Sequence, residues 1–169
     1  MFQKLGELQM EANRRPAGGR TVVLYFPPSS FSPRFSNESL IPMTTELTGW
    51  AWSDGVESCS PRYVVYHVHV RYGREQWLLK RRYSHFLTFH KELLNEFPSL
   101  AADGQHVAFP PKSWACFGMV LDDESFLSSR QDQLCDFLMS LLGTLNSRGL
   151  LQCVLVTDFL ELRSKATSS

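Results

Sequence analysis

Between Leu78 and His90 the chain reads LLKRRYSHFLTFH, with Lys80, Arg81 and Arg82 directly before Tyr83 and a hydrophobic run. These residue types in that order can recognise an anion. A guanidinium forks two hydrogen bonds onto a phosphate, and a helix start adds free backbone N–H groups and the positive end of its dipole. Arg82 adjoins the point where a strand pattern gives way to a helix pattern. Arg81 should face the opposite way from it, so Arg81 and Lys80 read as auxiliary electrostatics or solvated charge. Arg130 is a second such cation. It stands four residues before Leu134, on the side of a helical leucine stripe, and an arginine in line with core leucines needs an anionic partner. A phosphate meets that need, and so does a salt bridge to Glu92, Glu96, Asp122 or Asp123. For either arginine taken singly, the salt bridge is the simpler reading.

Other chemistries fit the residues poorly. His67 and His69 share a strand face, but no third ligand lies near them in sequence. His90 and Glu92 lack zinc-protease spacing, Asp122–Asp123–Glu124 reads as helix-start charge, and no GxSxG, HExxH or P-loop occurs. No catalytic set, metal or cofactor is therefore expected. The four cysteines (Cys59, Cys116, Cys135, Cys153) never form CxxC and read as buried thiols in a reducing cytosol. Seventeen lysines and arginines balance seventeen aspartates and glutamates. No global basic field then draws the chain onto nucleic acid or anionic lipid, and anion recognition must be local. No apolar run is long enough to span a bilayer, and MFQKLGELQMEANRR is too polar for a secretory signal.

The elements that must position these residues follow from hydrophobic period. Residues 1–43, rich in Pro, Ser, Gly and Arg, read as a mostly flexible tail. Within it TVVLYF could pair as a strand but is stopped by Pro27 and Pro28, and Phe2 to Glu11 could form a short helix. TTELTGWAW is a plausible first strand. RYVVYHVHVRY alternates with Val64, Tyr66, Val68 and Val70 on one face, Gly73 turns the chain, and EQWLLKRR returns as a hairpin partner. Phe86, Phe89, His90, Leu93, Leu94 and Phe97 then form a helical stripe, with Ser84 as the natural N-cap and Pro98 as the stop. A loop carrying Pro110–Pro111 and Lys112 leads to a helix with Arg130, Leu134, Phe137, Leu138, Leu141, Leu142 and Leu145 in register. Gly149 breaks that helix, and VLVTDFLEL closes the domain as another.

Three of these segments, KRRYSHF (Lys80 to Phe86), FPPK (Phe109 to Lys112) and SSRQDQLCDFLMSLL, resemble the phox-homology (PX) domain in its order over roughly Thr44 to Arg163. The resemblance implies an α+β fold, a three-stranded antiparallel sheet packed on a helical subdomain, with a PX domain at 44–163 and a short C-terminal tail at 164–169. It also implies a function, binding of phosphatidylinositol 3-phosphate and peripheral association of a cytoplasmic protein with endosomal membranes, without catalysis and without nucleic acid. Carried over by motif, Arg82 would bind the 3-phosphate and Tyr83 would floor the inositol ring. Lys112 would meet the 1-phosphate, and Arg130 the 4- and 5-hydroxyls. Trp114 and Phe117, just after Lys112, become candidates for membrane insertion, with core packing as the alternative. The chain departs from the family pattern in its short Pro110–Pro111 loop, without a fuller PxxP, and in its long N-terminal tail. The rival to a lipid module is a protein-interaction scaffold of the same fold, its basic pocket filled by a carboxylate.

Overall fold

The computed structural model describes residues 22–26, 41–53, 63–102, 108–111 and 124–162. Strands β1 (Val22–Phe26), β2 (Ile41–Ser53), β3 (Tyr63–Tyr72) and β4 (Glu75–Arg81) form one antiparallel sheet in the order β1-β2-β3-β4. Helices α1 (Tyr83–Glu96), α2 (Ser99–Ala102), α3 (Glu124–Ser147) and α4 (Val154–Phe159) complete an α+β domain. The sheet therefore has four strands, not three. Residues 22–26 and 41–43, read from sequence as tail, are strand, with Val22 to Phe26 pairing antiparallel to Thr45 to Ile41. Pro27 and Pro28 follow Phe26 in the sequence and lie outside the described residues. Leu24 and its partner Met43 are both in the core. Pro42 lacks a donor, yet its carbonyl accepts the Gly73 N–H at 2.9 Å, so β2 begins earlier than its proline suggests.

The period-2 pattern of β3 places Tyr66, Val68, Val70 and Tyr72 in the core, while His67 and His69 on the other face are half-buried. Gly73 turns the hairpin at φ +59°, which a glycine adopts without strain. Between Leu47 and Gly49 the β2–β3 register slips by a bulge. The buried Gln131 side chain of α3 donates to the Leu47 carbonyl at 3.3 Å there, so the helix satisfies the acceptor beside the irregularity.

The core is leucine from α3 (Leu134, Leu138, Leu142, Leu145) and aromatic from α1 and α4. Phe86 is fully buried, edge-on to Tyr66 and to Phe159, and Phe89 stacks on Phe159 at 4.2 Å. Burial of such side chains contributes about 1.5–3 kcal/mol each by transfer alone. The helical stripe of α1 lies where its spacing predicts, with Phe86, Phe89, His90 and Leu93 buried. Its start differs: Arg82, with extended backbone, is the N-cap, and Ser84 lies inside the first turn. The stretch after Pro98 is not all loop, since Ser99–Ala102 makes one short helical turn. Gly149 ends the α3 region at φ +68°. The closing helix α4 is shorter than VLVTDFLEL suggests, because Glu161 takes φ +55° and turns the chain. Cys135 carries a buried thiol and Cys153 is only half-buried. The 2–11 stretch, Cys59 and Cys116 lie outside the described residues.

Candidate anion-binding site

The junction between β4 and α1 sends two adjacent arginines to different sides. The last β3–β4 pair is Tyr66 with Arg81, so Arg81 shares the core-facing side of Tyr66. Its guanidinium donates to the Phe159 carbonyl at 2.7 and 3.2 Å and to Glu161 Oε1 at 2.9 Å. It also lies against the Phe159 ring. With 17% of its side chain exposed, Arg81 is no solvated charge. The expectation of an auxiliary surface cation fails because the end of α4 and the residues just after it present a carbonyl and a carboxylate on that side.

Arg82 continues the extended backbone by one residue (φ −81°, ψ 157°) and so turns its side chain the other way. It is exposed, and its guanidinium carbon lies 4.1 Å from the centre of the Tyr63 ring on β3. Its backbone N–H donates to His85 Nδ1 at a long 3.4 Å, and the His85 N–H returns to the Arg82 carbonyl at 2.9 Å. That arrangement needs an unprotonated Nδ1. Burial, followed by the charges of Arg81 and Arg82, holds His85 below the usual imidazole range.

Tyr83 and Arg130 meet directly. The Arg130 guanidinium carbon is 4.7 Å from the centre of the Tyr83 ring and 5.1 Å from that of Phe126. Arg130 is only 7% exposed, as its alignment with Leu134 predicts. Among the described residues neither Arg130 nor Arg82 is in an ion pair, so neither Glu92 nor Glu96 is what holds either one. Aromatic faces hold both, an arrangement that keeps the in-plane N–H donors available.

The same tyrosine ties down the FPP segment. Its hydroxyl donates to the Pro110 carbonyl at 2.8 Å, and its ring packs on Phe109 at 5.3 Å. Phe109 stacks in turn on His90 and meets Phe137 edge-on at 4.8 Å. His90 is thus an aromatic packing residue. Lys112, Trp114 and Phe117 lie outside the described residues, as do Asp122 and Asp123. Lys112 nonetheless follows the anchored Pro110–Pro111 directly in the chain.

The structure therefore joins Tyr83 to Arg130, and holds Arg82 one residue away through Tyr63. Sequence reading missed Tyr63, Phe126 and His85. The first two look like ordinary half-buried aromatics, and only the hairpin register, with Tyr66 opposite Arg81, brings Tyr63 beside Arg82. No group of metal-binding side chains occurs among the described residues, and no helix there is long and apolar enough to cross a membrane.

Comparison with known structures bears on the fold. The fold is similar to a designed CISK-PX domain, with 26% identity, TM-score 0.53, and coverage of 68% of this chain and 95% of that one. It is also similar to the mouse SNX19 PX domain solved with a bound sulphate ion, with 22% identity, TM-score 0.51, and coverage of 70% and 94%. The PX domain family model matches residues 69–163, a span running from β3 past the end of α4 and containing the strand-to-helix junction, the FPP segment and Arg130. On that match, over more than half its length, the chain belongs to the PX domain family, whose members are generally phosphoinositide-binding, non-catalytic membrane-targeting modules.

Proposed function

We propose that this chain binds phosphatidylinositol 3-phosphate and thereby associates peripherally with endosomal membranes in trafficking or sorting. The observation that carries the proposal is Arg130. A guanidinium this buried costs free energy unless it is matched by hydrogen bonds and charge, and its neighbours supply aromatic faces but, among the described residues, no carboxylate. An anionic, hydroxyl-rich headgroup supplies both. In this reading Arg82 takes the 3-phosphate beside the α1 start, Tyr83 floors the inositol ring, and Arg130 binds the 4- and 5-hydroxyls. Lys112 reaches the 1-phosphate from the segment that Tyr83 anchors at Pro110. Trp114 and Phe117, further along the same segment, enter the interface. The absence of a carboxylate on Arg82 and Arg130 among the described residues also weighs against a scaffold whose pocket is filled from within.

Vesicle sedimentation across the mono- and poly-phosphorylated phosphoinositides tests the reading. The 3-phosphate lipid should bind best, and Arg130→Ala should weaken that binding and narrow its advantage over headgroups phosphorylated at positions 4 and 5. Headgroup discrimination left unchanged by Arg130→Ala would make the position structural. Indifference of the unmodified protein to every phosphoinositide would leave the scaffold.

A further inference from the structure

We propose that Tyr63 is a positioning residue of the headgroup site, seating the Arg82 guanidinium before any ligand arrives; the inference rests on the reading of Arg82 as the 3-phosphate ligand. An exposed arginine samples many rotamers, and each must be given up when it binds a phosphate. The close contact between Arg82 and the Tyr63 ring, 4.1 Å from guanidinium carbon to ring centre, settles that choice in advance. Strand geometry makes the contact specific. The β3–β4 ladder pairs Tyr66 with Arg81, and alternation puts Tyr63 and Arg82 together on the opposite face. The extended backbone at Arg82 carries the strand just far enough to reach it.

The chemistry of the seat matters as much as its position. A carboxylate would also hold Arg82 still, but it would neutralise the charge and occupy the forked donors. An aromatic face attracts the cation through its π plane and leaves the N–H edges free for a phosphate. Arg130 is treated in the same way by Tyr83 and Phe126. Both arginines of the site are thus aligned without being discharged. Tyr63 is half-buried and lies outside the hydrophobic core cluster, so the fold does not need its ring for core packing.

The test uses the full chain, vesicles of phosphatidylcholine carrying phosphatidylinositol 3-phosphate, and Tyr63→Phe and Tyr63→Leu, each alone and combined with Arg82→Ala. Tyr63→Leu should lower affinity about two- to five-fold with an unchanged melting temperature, and Tyr63→Phe should bind normally, because the face and not the hydroxyl does the seating. In the Arg82→Ala background Tyr63→Leu should have no further effect. Without lipid, the ring-current shift on the Arg82 side-chain resonances should vanish in Tyr63→Leu and persist in Tyr63→Phe. A gain in affinity in Tyr63→Leu, an equal loss with and without Arg82, or the lack of any ring-current shift would each overturn the inference about Tyr63 alone. If the unmodified protein ignores the lipid, the headgroup reading falls, and Tyr63's role at that site falls with it.

Discussion

On the helical side of the β4–α1 junction, Arg81 spends its donors on the Phe159 carbonyl and the Glu161 carboxylate. On the other side, Arg82 rests on an aromatic ring and makes no ion pair among the described residues. The two are chain neighbours of identical chemistry, yet their partners give them different work. A guanidinium whose donors and charge are answered within the protein joins elements that are distant in sequence. One seated only on a π face keeps its donors and its field for something outside. Arg130 belongs with Arg82 in this respect, although it is buried, because its neighbours are also aromatic faces. Under the proposed reading, the environment of a cation, more than its exposure, separates a structural role from a recognition role.

Substituting the two neighbours in turn should break the comparison most sharply. Arg82→Ala should lower affinity for phosphatidylinositol 3-phosphate vesicles about thirty-fold or more, as expected for one partner of a desolvated charge pair. Its melting temperature should stay close to that of the unmodified protein, and a tagged form should disperse from endosomes into cytosol. Arg81→Ala should do the reverse. It removes two bonds to a carbonyl and a partly exposed ion pair, so chemical denaturation should find the fold about 1–2 kcal/mol less stable. Affinity of the folded fraction should be retained. Equal losses of affinity in the two variants would erase the distinction and leave a diffuse, salt-dependent basic patch.

A smaller effect comes from His85, which feels both arginines. Desolvation, then Arg81 and Arg82, lowers its pKa from the ordinary 6.5, while the unfolded chain keeps the ordinary value. As pH falls below 6.5 the unfolded state takes up a proton that the folded state still refuses, so stability is lost until the folded-state group itself titrates. Melting temperature should therefore rise with pH across that window. His85→Gln keeps an acceptor in the first helical turn but cannot titrate, and its slope should be shallower. Identical slopes would show that His85 does not sense the two charges.

Much of this was legible in the sequence because periodicity reports burial. The alternation around Val68 and the stripe from Phe86 to Leu93 found their faces, and the alignment of Arg130 with Leu134 found a buried arginine. The fourth strand was hidden because two prolines beside VVLYF outweighed, in a local reading, pairing that only β2 could reveal. Arg81 was misread because its partners, Phe159 and Glu161, lie 78 and 80 residues away. Tyr63 was missed for a similar reason: its contact with Arg82 depends on hairpin register, which a one-dimensional pattern does not carry. Local rules recover elements and faces, whereas side-chain partners across elements need the fold.

The attachment of Trp77 and Arg81 to the end of α4 and the residue just after it has one more consequence. Trp77 Nε1 donates to the Leu160 carbonyl at 3.0 Å, while Arg81 takes that of Phe159. Helix α4 spans six residues, too few to persist by its own hydrogen bonds. The acceptors left open at its end are answered by donors from a strand formed far earlier in the chain. Strand β4 and the aromatic face of α1 thus hold the end of α4 together, and loosening either should fray the helix before the rest of the domain opens.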